Sequence, residues 1–324
     1  MIGEQDATAD SAGLFSGDRG ASADLSGADL SASSFAGAQL RKANFNSANL
    51  THANLAGAAA QGASFCGSVL KGTNLTGVKL EGANISPGTA TLPDEIQAIL
   101  RRHALWIDSF GSDGARADLR KLDLRKHDLR GVYLSGADLR GAQLNGANLA
   151  HALLTLADLR ETDLADADLR GAELNGANLN SANLVRARLS EAKGDPMEML
   201  GAKGEDTGQR QRTRLAKTDL RKAHLDGAQF REASFNDADL SEATCDRGQF
   251  AGANFENANL SKSSLRRTDF SDANLIGANL NGAHMDFVRL RNANLTNAET
   301  TDAALVGADL TGTSLNRENE ESTS

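Results

Sequence analysis

A five-residue period runs through most of this chain and limits what it can fold into. Large apolar residues recur at every fifth position in three blocks, with 13 repeats from Leu25 to Ile85, 15 from Leu119 to Leu189 and 21 from Leu215 to Leu315. The weak or unusual members are Ala60, Cys245, Met285 and Thr300. A period of five fits neither a 3.6-residue helix nor a two-residue strand. The chain is therefore a repeat protein, in which each unit packs on its neighbours.

Each unit reads as a very short strand followed by a corner. The residue two before the large one is usually Ala, as in Ala137-Asp138-Leu139, so both apolar side chains point inward and the Asp or Asn between them points out. The other two residues are typically a polar residue and Gly, as in Ser135-Gly136, which favours a turn. Three strand residues and two corner residues, repeated, predict a coil.

The tandem A-(D/N)-L-x-x motif resembles the pentapeptide-repeat family over most of the chain. The resemblance implies an all-β solenoid, a right-handed quadrilateral β-helix with four repeats in each coil. At a spacing of twenty residues, outward columns would then run along Asp118, Asp138 and Asp158 and along Arg120, Arg140 and Arg160. About 12 coils at about 4.8 Å each would form a rod of about 58 Å if the three blocks were coaxial.

The breaks in the period predict seven segments. We expect a disordered N-terminus at 1–22, repeat block one at 23–88, an inserted helix at 89–114, block two at 115–190, a loop at 191–213, block three at 214–316 and a disordered tail at 317–324. Blocks two and three together hold a whole number of four-sided coils. They can therefore form one continuous β-helix from which the loop bulges.

The first interruption carries a helix signal. Thr91 and Pro93 are typical of a helix start, apolar residues follow at helical spacing, and Gly111 is typical of a helix end. The only tryptophan, Trp106, lies in this helix. We expect the helix to cover the edge of the first coil of block two, where large residues replace the usual inward Ala: Leu122, His127 and Val132. The alternative is that its apolar face is a surface for a partner or a dimer.

The second interruption is rich in glycine and contains the basic residues Arg210 and Arg212. Its composition predicts a projecting loop. Long loops of this kind in compact proteins are either functional or disordered, and the sequence leaves both interpretations open.

The sequence offers no catalytic, cofactor or metal site. Six histidines are scattered without a metal-ligand spacing, and the nearest cluster, Lys126-His127-Asp128, does not converge because His127 faces inward. The glycines of the second interruption do not form a phosphate-binding loop. Most carboxylates are outward repeat residues. We therefore predict a protein that is not an enzyme.

Charge and cysteine usage bound the partners and the location. The net charge is −9, and residues 215–324 contribute −6, which argues against direct nucleic-acid binding. Two distant cysteines, no signal peptide and no apolar run of membrane-spanning length predict a cytoplasmic protein.

These observations favour a scaffold that binds a protein partner through flat polar faces. The candidate partner surface consists of Arg120, Arg140, Arg160, Trp106, Arg210 and Arg212. The alternative for the Arg and Asp columns is that they only neutralise each other. The family resemblance implies a second function, a DNA mimic that binds or protects the type II topoisomerase gyrase, although this chain has no apolar C-terminal helix of the kind those proteins use to dimerise. A secreted bacterial effector is a third hypothesis.

Overall fold

The structure is a computed structural model that describes residues 23–46, 48–65, 68, 70, 73–80, 83, 92–108, 111–200 and 206–314. The chain forms two compact units, Met1–Ala104 and Leu105–Ser324. The predicted disordered termini, the Thr91 cap and the terminal repeat residues Ile85 and Leu315 lie outside the described residues.

The C-terminal unit is a four-sided β-helix with twenty residues in each coil. Parallel bridges join residues twenty apart on all four sides, so that one column runs through Asp118, Asp138, Asp158 and Asn178. Each coil is bonded to the next through its backbone: the N–H of Leu119 donates to the carbonyl of Asp138 (2.8 Å), and the N–H of Asp138 donates to that of Ala117 (2.9 Å). The predicted solenoid and its twenty-residue spacing are confirmed.

The corners of this unit turn in the same way on both sides of the second interruption. The second turn residue has a positive φ at each repeat from Lys121 to Glu191 and from Lys217 to Gly312, and the next residue donates its N–H back across the turn. A single positive φ at this position is the mark of a type II turn. The corner therefore favours Gly, yet many of these residues are Lys, Arg, Asp or Glu.

The interior is filled as the repeat predicts, by the large residue of each unit and, in most units, by the Ala two residues before it. Phenylalanines replace leucines in part of block three and stack along the axis, with ring centroids 5.5 Å apart for Phe250 and Phe270 and 4.6 Å apart for Phe235 and Phe255. Rings in neighbouring columns meet edge to face, as Phe250 and Phe255 do at 5.6 Å. Each buried large side chain contributes about 2 kcal/mol to the free energy of folding.

The second interruption is a β-hairpin rather than a structureless loop. Strand β1 (Met197–Leu200) pairs antiparallel with β2 (Asp206–Gln211). Bridges cross the insertion at a spacing of 36 residues, from Asn178 to Arg214 and from Lys193 to Gln229. Blocks two and three are therefore one continuous β-helix with an insertion in a single coil.

The repeat also runs further into the predicted loop than its apolar spacing indicates. Ala192 is buried as an inward Ala, and Gly194 takes the position of the large residue. The Phe230 ring of the next coil fills the space above it, because a Cβ on Gly194 would lie only 2.2 Å from Phe230 Cδ1. A glycine at this position hid the repeat from the sequence pattern.

The N-terminal unit contains the first repeat block and most of the helix. Its bridges also join residues twenty apart, as between Asp24 and Asn44, around a core that includes stacked Phe45 and Phe65 rings 4.8 Å apart. Helix α1 (Asp94–Asp108) confirms the inserted helix, and it begins with two acidic residues, which suit the positive end of the helix dipole. Within the described residues, no helix is long and apolar enough to cross a bilayer.

Candidate protein-binding surface

Six arginines of block two are held in pairs with aspartates of the same repeat. In each pair the Arg Nη2 lies 2.5–2.7 Å from the Asp Oδ2, and the Asp Oδ1 also accepts the backbone N–H of the Arg. The pairs are Asp118–Arg120, Asp123–Arg125, Asp128–Arg130, Asp138–Arg140, Asp158–Arg160 and Asp168–Arg170, and block three adds Asp219–Arg221. The side-chain hydrogen bond from Arg120 holds the pKa of Asp118 at about 2, well below its usual value.

The three arginines singled out in the sequence, Arg120, Arg140 and Arg160, stand on successive coils at one corner. Arg120 Nε lies 3.7 Å from the carboxylate of Asp138, and Arg140 Nε lies 3.6 Å from that of Asp158. The carboxylates and guanidiniums therefore alternate along this corner. Each pair engages Nε and Nη2 of the guanidinium, which leaves Nη1 outside the bidentate contact.

The hairpin is tied to the β-helix at its base. Arg210 and Arg212 both approach the Glu232 carboxylate, at 2.8 and 3.3 Å. On the other side of the insertion, Asp195 accepts two hydrogen bonds from Arg231, one from its side chain (2.6 Å) and one from its backbone N–H (2.9 Å). These contacts fix the direction in which the hairpin leaves the coil.

Thr213 repairs the backbone ladder where the hairpin interrupts it. In neighbouring coils the N–H at this turn position donates to a carbonyl of the next coil, as Gly136 does to Thr155. The Gly176 N–H donates instead to the Thr213 hydroxyl (2.9 Å), which in turn donates to the carbonyl of Leu174 (3.0 Å). The buried Thr213 thus lets the coil open without leaving an unbonded amide.

We call the column of turns at Gly136, Leu156, Gly176 and Glu232, with the hairpin inserted before Glu232, the hairpin corner. Trp106, in the last turn of α1, packs against its first turn: a Cβ on Gly136 would lie 3.8 Å from indole Cζ3. The chain then reverses at Gly111, whose N–H donates to the Trp106 carbonyl (2.7 Å). The indole is half-buried, so part of the ring faces solvent at this corner.

The structure thus divides the six candidate residues between two corners. Trp106, Arg210 and Arg212 lie along the hairpin corner, over four coil spacings or about 19 Å. Arg120, Arg140 and Arg160 lie at the next corner along the chain, across the face that carries Asp138 and Asp158.

Sequence reasoning missed three apolar residues beside the hairpin corner. Tyr133 and Leu153 are bridge partners at outward positions that the motif gives to Asp or Asn, and both are half-buried. Leu156 is 36% exposed at a turn position with φ of 58°, and its side chain reaches toward Gly176 and Gln211 of the hairpin. The signal was available, because each of these residues breaks the polar part of the repeat.

The comparison with protein families decides what the repeat is. The family described as "Pentapeptide repeats" matches in eight copies, over residues 23–58, 48–86, 115–150, 157–193, 211–244, 249–286 and 289–317. The chain belongs to the pentapeptide-repeat family. The fold that the resemblance implied, a right-handed quadrilateral β-helix, is the fold of this chain.

Solved pentapeptide-repeat structures resemble parts of the chain. HetL from the cyanobacterium Nostoc sp. strain PCC 7120, which is involved in heterocyst differentiation regulation, is 29% identical with a TM-score of 0.41, covering 60% of this chain and 88% of HetL. QnrB1, a plasmid-mediated fluoroquinolone resistance protein, is 18% identical with a TM-score of 0.36, covering 62% of this chain and 90% of QnrB1. Rfr23 from the cyanobacterium Cyanothece 51142 is 24% identical with a TM-score of 0.26, covering 46% and 91%. No curated protein sequence matches the chain. With TM-scores below 0.5, these similarities identify no partner.

One polar cluster elsewhere on this pentapeptide-repeat surface contains a histidine, a hydroxyl and a carboxylate, but not in a catalytic order. His224 Nδ1 lies 3.2 Å from the Thr244 hydroxyl, which donates to Asp226 at 2.7 Å. The hydroxyl stands between the imidazole and the carboxylate, whereas activation of a hydroxyl nucleophile needs the imidazole between the other two. Over the described ranges, no three His, Cys, Asp or Glu residues are placed to hold a metal ion.

Proposed function

We propose that this pentapeptide-repeat protein is a non-enzymatic scaffold that binds a protein partner, and that the hairpin corner is the main contact. The observation that supports this most directly is the anchored insertion. A sixteen-residue excess over the twenty-residue coil stands at one corner, where Asp195, Arg210 and Arg212 all form ion pairs with the β-helix. A surface held in place before binding loses less conformational entropy when a partner arrives.

The chemistry beside the hairpin is that of a protein contact. Trp106, Tyr133, Leu153 and Leu156 interrupt an otherwise polar surface, and Met197 and Met199 of β1 are also half-buried. Aromatic residues, methionine and arginine are enriched where proteins meet, and a few such side chains supply most of the binding free energy. The polar faces around them supply the solvated rim.

Excision of the hairpin tests the proposal. Replacing residues 195–212 with Ser-Gly, the dipeptide found at Ser135-Gly136, restores a twenty-residue coil and keeps every bridge in register. The matched control deletes one whole coil of block one, residues 36–55, which removes twenty residues from the N-terminal unit and leaves the sequence of the C-terminal unit unchanged. Both variants should keep the circular dichroism spectrum of the parent.

Affinity capture from the native host then compares the three proteins. We expect the parent and the coil deletion to capture the same partner and the hairpin replacement to lose it. Equal capture by all three would refute the hairpin corner as the contact.

The DNA-mimic hypothesis ranks second. A mimic of DNA needs a row of negative charges, whereas the charges alternate in sign along the corner of Arg120, Arg140 and Arg160. A gyrase supercoiling assay separates the two hypotheses, since a mimic inhibits supercoiling or protects gyrase from quinolones. The effector hypothesis depends on residues 1–22, outside the described residues. We propose that the protein is located in the cytoplasm, as its cysteine usage predicts.

A further inference from the structure

A second corner of block three carries an exposed aromatic residue in an unfavourable backbone conformation. Phe287 has φ of 57°, a value that bulky residues rarely adopt, and its side chain is 55% exposed. Its backbone N–H donates to the carbonyl of Val306 (2.8 Å). Val306 is itself 69% exposed. The ring lies over Gly307 of the next coil, where a Cβ would come within 2.6 Å of it. Two exposed apolar residues therefore lie on successive coils at this corner.

Two arginines continue this column in the opposite direction. We call the turns at Arg247, Arg267, Phe287 and Gly307 the Phe287 corner. Backbone hydrogen bonds link Arg247 to the Arg266 carbonyl and Arg267 to the Asp286 carbonyl, so the four turns stand on successive coils. The Arg267 guanidinium lies 5.7 Å from the centre of the Phe287 ring, within reach of a cation–π contact.

These two arginines differ from their neighbours in lacking a carboxylate. Arg266 contacts Asp286 at 3.4 Å, and Arg289 contacts Asp269 at 2.8 Å. Neither Arg247 nor Arg267 forms an ion pair with any residue that the structure describes, and both are exposed. They are positive charges within residues 215–324, whose net charge is −6.

We infer that the Phe287 corner binds an extended segment of a protein partner in which acidic residues are followed by large apolar ones. The acidic residues would pair with Arg247 and Arg267, and the apolar ones would cover Phe287 and Val306. The corner spans three coil spacings, about 14 Å, which an extended strand crosses in about four residues. This inference rests on the proposed scaffold function, but it concerns a different column of turns from the hairpin corner.

A labelled peptide tests the assignment. The probe is a fluorescein-labelled twelve-residue peptide with Glu-Glu-Leu-Phe at its centre and Gly-Ser flanks, and its binding to the full chain is followed by fluorescence anisotropy. The comparison peptides carry Lys-Lys-Leu-Phe or Glu-Glu-Ser-Ser at the centre. We expect saturable binding of the first peptide and binding at least about tenfold weaker for the other two.

Variants locate the site. Asn tolerates positive φ, so R247N with R267N, and separately F287N, should fold and bind the first peptide about tenfold more weakly. The control pair K217N and K262N removes two exposed turn lysines at other corners, with the same change in net charge, and should bind as the parent does. The variant with residues 195–212 replaced by Ser-Gly should also bind as the parent does.

The outcomes separate this inference from the scaffold proposal. If the hairpin replacement loses the partner but still binds the first peptide, the result supports both the hairpin corner and the Phe287 corner. Peptide binding that survives F287N, or no saturation of the first peptide up to about 1 mM, overturns the Phe287 corner while leaving the hairpin result intact. A dimer seen by sedimentation equilibrium and abolished by F287N would also overturn it, by assigning the corner to a second copy of the chain.

Discussion

Gly194 offers a sharp test of the packing, because the repeat motif and the structure predict opposite effects for its substitution. The motif places Leu at this position, so Gly194→Leu would look like a return to the consensus. In the structure even a Cβ there would lie 2.2 Å from both Cδ1 and Cε1 of Phe230. The ring would have to move by about 1.3 Å to reach an ordinary carbon–carbon contact of about 3.5 Å.

Phe230 has little room to move. Its ring packs edge to face on Phe235 at 5.7 Å and stacks on Phe250 at 6.3 Å, and it is fully buried. Overpacking of a core of this kind costs about 1–3 kcal/mol, so Gly194→Leu should lower the free energy of unfolding by that amount.

A double-mutant cycle assigns the loss to this contact. Phe230→Leu alone should cost about 1–2 kcal/mol, less than the 3–5 kcal/mol of a truncation to Ala. The double variant places Leu over Leu, as in most of the ladder, and should recover about 1–3 kcal/mol relative to the sum of the single changes. Urea unfolding followed by circular dichroism measures all four proteins. A Gly194→Leu variant as stable as the parent would show that the Phe230 ring does not occupy this space.

Three further predictions concern the coil, the charges and the helix. Thr213→Val should lower the free energy of unfolding by about 1–3 kcal/mol, because it removes the only acceptor described for the buried Gly176 amide. Hydrogen exchange of that amide should speed up more than exchange of the Gly136 amide. An equal change at both amides would contradict the role of the Thr213 hydroxyl as acceptor. Hydrogen bonds from Arg120 and Arg125 hold the pKa values of Asp118 and Asp123 at about 2, below the usual 3.8, so their contribution to stability should be complete above pH 4 and disappear as the pH falls toward 2; carboxyl NMR titrations with ordinary midpoints would argue against the pairs. Trp106→Ala should lower the free energy of unfolding by about 1–2 kcal/mol, less than for a fully buried ring. An unchanged melting temperature would count against the packing of the indole on the turn at Gly136.

The regular part of the fold was predictable because its physics is local. A period of five with an inward Ala and Leu allows one arrangement of strand and corner, and with four sides to a coil it gives the twenty-residue columns of Asp118, Asp138 and Asp158. The helix was equally visible, since its start signal and apolar spacing stand out from the repeat. The family resemblance supplied the number of sides.

The insertion was harder to predict, because its structure depends on contacts between distant residues. The sequence of β1 and β2 carries only weak strand signals, and their pairing is supported by ion pairs from Arg210 and Arg212 to Glu232, which lies on the next coil. Gly194 hid a repeat because its space is filled from another coil by Phe230.

The candidate surface was predicted in part. Its arginines and Trp106 were singled out, but their grouping at two corners depends on how the chain turns and on the 36-residue coil. Leu156 and Phe287 were overlooked because a bulky residue at a positive-φ turn looks like an ordinary filler in the x-x part of the motif. A bulky residue at such a turn is a reason to look for a contact surface, since the repeat fold itself favours Gly there.

The most direct test of the central claim is a footprint of the hairpin corner with the captured partner bound. Hydrogen exchange of the full chain should show protection of β1, β2 and the turn at Leu156 on partner binding, while the opposite corner of the coils, at Asp166 and Arg186, remains unchanged. Protection confined to other faces, with the hairpin exchanging at its free rate, would contradict the account.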